Sequence, residues 1–332
     1  MTRIVYRQLG RSGVSVSAVG LGCMSLSGIY GTAEDEQSVG LIRHAIDSGI
    51  NHLDTSDMYG WGHNEEVVGR ALQGLKGGRR DSVMLATKFG QVRGEGGANL
   101  VNGRPEYVQA ACDASLQRLG VDAIDLYYQH RVDPNVPVED TVGAMSRLVE
   151  QGKVRFLGLS EAKPERIRRA HAVHPIAAVQ TEYSLLYRSE AEETRETTRE
   201  LGIGFVAYSP LGRGFLTGAL KSFADIDGRR AQHPRFQAEH FDHNRTLAAR
   251  IEAIAARKGC SPSQLTLAWL LAQGDDVVAI PGTRYPARLD ENAGAMQVEL
   301  TPAEVEEISA AVPKGAASGD RYPAGGMKAV YL

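Results

Sequence analysis

Titratable side chains occur at or just after the ends of several short apolar segments of this sequence. Four of them supply a carboxylate, a phenol, an amine and an imidazole, and they are Asp54, Tyr59, Lys88 and His130. Any one of these residues could simply terminate a strand. Together they are types that donate, accept or hold a proton, as acid–base catalysis requires. If the fold brings them together, the sequence predicts a catalytic centre.

The segments that carry these residues are apolar runs of strand length, separated by stretches with the spacing of amphipathic helices. The runs are 19–22, 50–55, 83–87, 124–129, 154–159, 176–180, 203–208 and 277–280. Alternating strands and helices indicate a parallel sheet, and eight such units close into a (β/α)₈ barrel. A doubly wound sheet is disfavoured because Cys23, Met24 and Ser25, rather than a Gly-x-Gly-x-x-Gly turn, follow Gly22. In a barrel, the carboxyl ends of the strands build the active site.

Other parts of the chain are predicted to surround the barrel, and 1–332 is predicted to be a single barrel domain. Residues 1–18 should form a hairpin, since 6–9 and 14–19 flank the turn cluster Gly10-Arg11-Ser12-Gly13. A long connection follows strand seven, and 212–243 is predicted to be a mobile lid, with a helix around 247–258. The tail 313–332 either covers the same face or frays.

Composition excludes several classes of function. Of the 332 residues, 42% are hydrophobic and 23% are charged, and the net charge is −3. This balance is typical of a globular protein and favours neither nucleic acid nor a membrane surface as a partner. No apolar run reaches the roughly 18 residues that span a bilayer. The widely spaced Cys23, Cys112 and Cys260 suggest neither disulfides nor zinc, so we expect a reduced, cytoplasmic protein without a bound metal.

Several short motifs resemble the aldo-keto reductase superfamily over nearly the whole chain. They are Asp54-Thr55-Ser56-Asp57-Met58-Tyr59-Gly60, Ala86-Thr87-Lys88-Phe89-Gly90, Tyr128-Gln129-His130, Gly158-Leu159-Ser160, Val179-Gln180-Thr181-Glu182-Tyr183-Ser184, Tyr208-Ser209-Pro210-Leu211-Gly212 and Ile280-Pro281-Gly282-Thr283. The runs 22–25 and 129–134 look most like the branch that includes perakine and pyridoxal reductases. The resemblance implies a barrel, a nicotinamide cofactor (usually NADPH) and reversible carbonyl reduction without metal.

The catalytic tetrad of that family corresponds here to Asp54, Tyr59, Lys88 and His130. Hydride transfer to a carbonyl carbon leaves an alkoxide that must receive a proton, and Tyr59 is the expected donor. Lys88 should lower the pKa of Tyr59, while Asp54 holds Lys88 in place and charged. His130 should orient the carbonyl oxygen and stabilise its developing charge.

The resemblance also implies a nucleotide site along the strand ends. The expected contacts near the nicotinamide include stacking on Tyr208 and polar contacts from Gln180 and Ser160. The backbone of 209–214 could cradle a pyrophosphate. The residues expected to bind this half of the cofactor are Gly22, Met24, Asp54, Ser160, Gln180, Tyr208, Ser209, Pro210, Leu211, Gly212 and Gly214. Glu161 replaces the asparagine that is usual in the family beside that serine, and a carboxylate can only accept hydrogen bonds.

After strand eight, the sequence resembles an adenosine-phosphate site. Thr283 should cap a helix whose N-terminus attracts anions, and Arg284 and Arg288 could grip a 2′-phosphate. The residues expected here are Gly282, Thr283, Arg284, Arg288, Glu291 and Asn292. The two arginines favour NADPH over NADH as the cofactor.

Two other functions are compatible with the same residues. Lys88 could be a Schiff-base nucleophile of a barrel lyase, although an adjacent carboxylate opposes the neutral amine that this needs. The chain could also be a cofactor-binding accessory subunit, as in the potassium-channel subunits of the superfamily. The expected ligand is otherwise a small carbonyl compound, with Trp61 and Tyr30 as aromatic walls. Nothing in the sequence predicts an oligomeric state.

Overall fold

The N-terminal hairpin closes one end of the molecule. The computed structural model describes residues 3–27, 34–73, 75, 78–94, 96, 99–226 and 228–332, so Tyr30 lies outside the described residues. Strands β1 (Tyr6–Gln8) and β2 (Ser15–Ser17) pair antiparallel, as predicted. Leu9 and Val16 are fully buried against the inner faces of the barrel strands, so the hairpin plugs the end opposite the predicted site.

Eight parallel strands form the barrel, which confirms the predicted fold class. They are β3 (Leu21–Gly22), β4 (His52–Asp54), β5 (Met84–Phe89), β8 (Ile124–Gln129), β9 (Val154–Ser160), β10 (Ile176–Glu182), β11 (Gly204–Tyr208) and β12 (Val277–Ile280). Parallel bridges from Val19 to Ala279 and from Gly22 to Gly282 join the first strand to the last. A Cβ at Gly22 would lie 2.7 Å from the carbonyl oxygen of Ile280, so this seam requires a glycine.

Helices surround the strands. They are α1 (Asp35–Asp47), α2 (His63–Gln73), α3 (Pro105–Leu119), α4 (Val138–Glu150), α5 (Pro164–Val173), α6 (Ser189–Leu201), α7 (Ala238–Lys258), α8 (Pro262–Leu271), α9 (Pro286–Gly294), α10 (Pro302–Ala311) and α11 (Ala324–Met327). Pro105 opens α3, as expected, because a ring-locked φ suits the first helical turn. None of the helices formed by the described residues is long and apolar enough to cross a membrane.

Two features differ from the sequence predictions. A second antiparallel hairpin, β6 (Gln91–Arg93) with β7 (Asn99–Val101), follows β5 and was not predicted. Its strands are too short to produce a clear hydrophobic alternation. The long connection after β11 consists of short 3₁₀ turns, and α7 begins at Ala238 rather than near 247. The end of the predicted lid therefore belongs to a helix.

The C-terminal tail covers this long connection. Asn244 donates to the carbonyl oxygen of Ser318 at 2.9 Å, and the carbonyl oxygen of Arg321 accepts from Arg213 at 2.6 Å. The side chain of Arg321 is 1% exposed, although it lies only eleven positions before Leu332. Of the two alternatives left open for the tail, the structure supports coverage over fraying.

Candidate active site

The four predicted catalytic residues meet at the carboxyl end of the barrel. Asp54 ends β4, Lys88 lies on β5, and His130 follows β8. The ammonium group of Lys88 forms an ion pair with Asp54 and donates to the Tyr59 hydroxyl oxygen at 3.4 Å. The rings of Tyr59 and His130 meet edge to face, with their centroids 5.9 Å apart. The fold thus brings four side chains from the ends of three strands to one point.

The lysine at the centre of this group is fixed on several sides. Lys88 is completely buried, and besides Asp54 and Tyr59 its Nζ contacts the carbonyl oxygen of Thr55 at 2.8 Å. Gln180 donates to the other carboxylate oxygen of Asp54 at 2.7 Å. Three donors of one ammonium group therefore have three acceptors, and the carboxylate is held by two residues. Because these hydrogen bonds replace those that water would make, the ion pair can be buried in the protein interior.

The charge state of the lysine follows from these contacts. Burial by itself lowers the pKa of Lys88, but Asp54 and Tyr59 outweigh burial, so the pKa lies above its ordinary value. Lys88 is consequently an ammonium ion at neutral pH. A Schiff-base nucleophile must be neutral, so this geometry disfavours the lyase alternative.

The acidity of the phenol differs from the expectation. Burial raises the pKa of Tyr59 above its ordinary value, and Lys88 acts in the opposite direction without cancelling that effect. The prediction of a net lowering is therefore wrong for the protein alone, although the direction of the lysine's effect is as expected. At neutral pH the phenol keeps its proton, which is the state that a proton donor needs.

His130 is neutral in this site. It is 5% exposed, and burial together with the cations Arg131 and Lys88 holds its pKa well below the usual range. A neutral imidazole carries one N–H, so it can donate a hydrogen bond from one ring nitrogen only. The Nδ1 atom lies 3.0 Å from the Ser56 hydroxyl oxygen.

An open groove leads from Tyr59 and Asp54 across the mouth of the barrel. Its volume is about 570 Å³. All the predicted nucleotide-binding residues except Ser160 and Gly212 line it, and they are Gly22, Met24, Asp54, Gln180, Tyr208, Ser209, Pro210, Leu211, Gly214, Gly282, Thr283, Arg284, Arg288, Glu291 and Asn292. Sequence reasoning missed further lining residues, among them Ser25, Thr217, Gly218, Ala219, Leu220, Arg230, Ser263 and Tyr285. Most of these come from the long connection, whose path no periodicity predicts.

Backbone strain is concentrated around this groove. Five non-glycine residues among those described have left-handed φ values between 48° and 56°; Tyr331 lies in the tail, and the other four are Trp61, Glu161, Ser209 and Arg213. They follow β4, β9 and β11, where the chain must turn sharply away from the barrel. Such conformations persist only when the surroundings enforce them, and they concentrate at functional sites.

The far end of the groove carries the arginines expected at the adenosine phosphate. The guanidinium carbons of Arg284 and Arg288 lie 5.2 and 5.1 Å from the centre of the Tyr285 ring. The expectation that Thr283 caps the next helix is wrong. Helix α9 begins at Pro286 with Tyr285 at the cap position, and the Thr283 hydroxyl instead accepts from the Tyr285 N–H at 3.1 Å. Proline at the first position supplies the fixed φ of the first helical turn.

Ser160, which was predicted to contact the carboxamide, and its neighbour Glu161 have different partners in the structure. Ser160 is buried and accepts from Arg131 at 3.2 Å. Glu161 turns away and forms a bidentate ion pair with Arg321 of the tail, at 2.8 and 2.6 Å. The Tyr208 hydroxyl also donates to Glu161, at 2.8 Å. The carboxylate that replaces the family's asparagine thus has partners of its own, and Arg321 is a residue that sequence reasoning missed, because no pattern signals a tail residue folding back.

Known proteins are similar to this chain in sequence and in architecture. The model of the aldo/keto reductase family matches residues 18–313. The chain belongs to the aldo/keto reductase family. It is 48% identical over 318 residues to a probable aldo-keto reductase 1 of Glycine max, covering 95% of this chain and 91% of that one. The narrower resemblance to the perakine and pyridoxal reductase branch stays a prediction.

Solved structures of family members superpose on the whole barrel. A glycerol dehydrogenase from Gluconobacter oxydans is 29% identical with a TM-score of 0.83, covering 95% of this chain and 97% of that one. An aldo-keto reductase from Bacillus halodurans, in its holo form, is 28% identical with a TM-score of 0.79, covering 97% and 99%. Family membership supports an oxidoreductase that acts on carbonyl or alcohol groups with a nicotinamide cofactor.

Proposed function

We propose that this aldo/keto reductase is a cytoplasmic enzyme of one barrel domain that reduces an aldehyde or ketone to an alcohol with NADPH, and that Tyr59 donates the proton. One observation carries the proposal: a buried Lys88 joins the Asp54 carboxylate to the Tyr59 hydroxyl at the floor of the groove. The substrate is a small carbonyl compound that reaches Tyr59 from solvent.

The chain's own residues divide the acid–base work. Bound NADPH supplies the hydride, and negative charge then develops on the substrate oxygen. Tyr59 donates its proton to that oxygen, and Lys88, 3.4 Å from the phenol oxygen, stabilises the tyrosinate left behind. Asp54 keeps the lysine charged throughout. His130, beside Tyr59, holds the substrate oxygen with a hydrogen bond while the charge develops.

The groove fits a dinucleotide. Tyr208 offers a ring at the nicotinamide end, with its hydroxyl tied to Glu161 and, at 3.0 Å, to Tyr322. A Cβ on Gly282 would lie 3.1 Å from the carbonyl oxygen of Gly22, so the wall of the groove is closely packed at this point. At the other end Arg284 and Arg288 present guanidinium groups, which match a phosphate geometrically and favour NADPH over NADH.

The decisive test is Tyr59→Phe, with Tyr127→Phe as the matched control. Tyr127 is fully buried, its hydroxyl has no hydrogen-bond partner, and it does not line the groove, so this control removes a phenol that belongs neither to the tetrad nor to the groove. We expect Tyr59→Phe to lower kcat by roughly 10² to 10⁴-fold, the usual contribution of a positioned proton donor. NADPH affinity, measured by fluorescence titration, should be nearly unchanged. A Tyr59→Phe variant as active as the Tyr127→Phe control would refute the assignment.

A further inference from the structure

The neutral His130 has two tautomers, and only one of them suits the proposed reaction. To donate a hydrogen bond to a carbonyl oxygen, the imidazole must carry its proton on the nitrogen that faces the substrate. Because Nδ1 is held by Ser56 at 3.0 Å, Nε2 is the nitrogen left for the substrate. Whatever determines the proton's position between Nδ1 and Nε2 therefore determines whether His130 can act.

Ser56 lies between three acceptors. Its hydroxyl oxygen is 3.0 Å from His130 Nδ1 and 3.3 Å from both an Asp57 carboxyl oxygen and the carbonyl oxygen of Lys88. It also accepts from the Met58 N–H at 3.3 Å. A hydroxyl has one proton to donate, so it can serve only one of the three acceptors at a time.

One of the three acceptors does not need the Ser56 proton, which leaves two that compete for it. The carbonyl oxygen of Lys88 already accepts from the Asp57 N–H at 3.1 Å, so it does not depend on Ser56. The competition is then between His130 and the Asp57 carboxyl group. If Ser56 donates to His130, Nδ1 is bare and Nε2 carries the proton. If Ser56 donates to Asp57, it must accept from His130 Nδ1–H, and Nε2 is bare.

We propose that Ser56 is a positioning residue that selects the tautomer of His130, and that the protonation state of Asp57 decides the direction in which the Ser56 hydroxyl donates. A protonated Asp57 donates to Ser56, which then has two donors (Asp57 and Met58) on its oxygen and gives its own proton to His130. An ionised Asp57 accepts from Ser56, and the hydrogen bond between Ser56 and His130 then runs in the opposite direction. The effect of the tautomer on catalysis rests on the proposed function, but the tautomer itself is a property of the protein alone.

The surroundings of Asp57 support a change of state within the working pH range. From α2, Glu65 faces it, and from α3 come Arg118 and Tyr107, while Tyr127 approaches from β8. Arg118 is mainly engaged by Glu65, with which it forms an ion pair. Burial raises the pKa of Asp57 to about 7, and Glu65 adds to this, while Arg118 and the hydrogen bonds from Ser56 and Met58 lower it.

The sign of the pH effect follows. Below the pKa of Asp57 the carboxyl group is protonated, Ser56 donates to His130, and Nε2–H can bind the carbonyl oxygen. Above it the Asp57 proton leaves to solvent, and the His130 proton moves from Nε2 to Nδ1 by exchange with water, with no net change in the imidazole's charge. Reductase activity should fall as the pH rises through this pKa. Tyr59, whose pKa lies above its ordinary value, remains protonated over the same range.

The direct test observes the tautomer without any reaction. Nitrogen-15 NMR of histidine-labelled protein, free of cofactor and substrate, distinguishes protonated from bare ring nitrogens, and His130→Gln identifies the signals of His130. We expect Nε2–H at about pH 6 and Nδ1–H at about pH 8.5. In Asp57→Asn, whose neutral amide can donate to Ser56, Nε2–H should persist at both values. One unchanging tautomer in the unmutated protein, or Nδ1–H at the lower pH, would overturn the proposal.

Kinetics provide an independent readout. Ser56→Ala should lower kcat for reduction by roughly 10- to 100-fold, as loss of a residue that orients a functional histidine does, and leave NADPH binding unchanged. Its residual activity should no longer fall above about pH 7, and Asp57→Asn, which has no group to titrate at this position, should also lose the fall. Ser17→Ala is the control, because Ser17 is equally buried but lies at the opposite end of the barrel. Ser56→Ala with the activity and pH profile of Ser17→Ala would reject the proposal even if Tyr59→Phe is inactive.

Discussion

The ion pair between Glu161 and Arg321 provides a quantitative test of how the tail supports the cofactor groove. Both side chains are 1% exposed, and two hydrogen bonds at 2.8 and 2.6 Å join them. Removal of Arg321 as Arg321→Met would leave the Glu161 carboxylate with only the Tyr208 hydroxyl and the Glu182 N–H as donors. Removing one partner of a buried ion pair lowers the free energy of unfolding by about 3–5 kcal/mol.

That cost can be expressed as a change in melting temperature. The entropy of unfolding, about 2.1 cal/mol/K per residue, amounts to roughly 0.7 kcal/mol/K for the whole chain. We therefore expect Arg321→Met to lower the Tm by about 4–7 °C. The double variant Glu161→Gln/Arg321→Met removes both charges of this pair, and Glu182, which also lies 3.7 Å from Arg321, keeps Arg213 at 3.3 Å, so the double variant should recover at least half of this loss.

The assay is a double-mutant cycle of thermal unfolding with NADPH titrations of each variant. Because the Tyr208 hydroxyl donates to Glu161, both single variants should also weaken NADPH binding, whereas the double variant should bind more tightly than either. Additive Tm changes in the cycle would show that the two residues do not interact energetically. In that case the coupling inferred between tail and groove would be wrong.

Other perturbations address the remaining parts of the site. Lys88→Met should lower kcat by about 10²-fold or more and alter the pH profile of reduction; an unaltered profile would contradict the role given to Lys88. Arg284→Ala should raise the KM for NADPH about 10-fold or more while affecting the KM for NADH less, and equal effects would exclude recognition of the 2′-phosphate. Gly22→Ala should destabilise the barrel seam by about 1–3 kcal/mol, whereas Gly40→Ala, with nothing within 4 Å of its Cβ, should not; thermal unfolding compares the two. Robust turnover across a panel of simple aldehydes would argue against an accessory-subunit role, and no turnover with any of them would favour it.

The sequence by itself determined the barrel and the convergence of the four predicted catalytic residues at one end of it. Strand-length apolar runs alternating with amphipathic stretches are a local signal, and parallel strands place their carboxyl ends on one face. The groups at the carboxyl ends of β4, β5 and β8 were therefore bound to converge. The same argument predicted most of the groove, because its residues also follow strands.

Tertiary structure alone decided how the charges are balanced. The net pKa of Tyr59 depends on burial against the attraction of Lys88, and sequence spacing contains no information about burial. The partner of Glu161 is Arg321, 160 positions further along the chain, and a contact at that separation leaves no periodic trace. The competition of His130 and Asp57 for the Ser56 hydroxyl likewise depends on tenths of an ångström. Periodic patterns in the sequence specify helices and strands. The pKa values and the stability of buried charges depend on interatomic distances, which only the assembled fold determines.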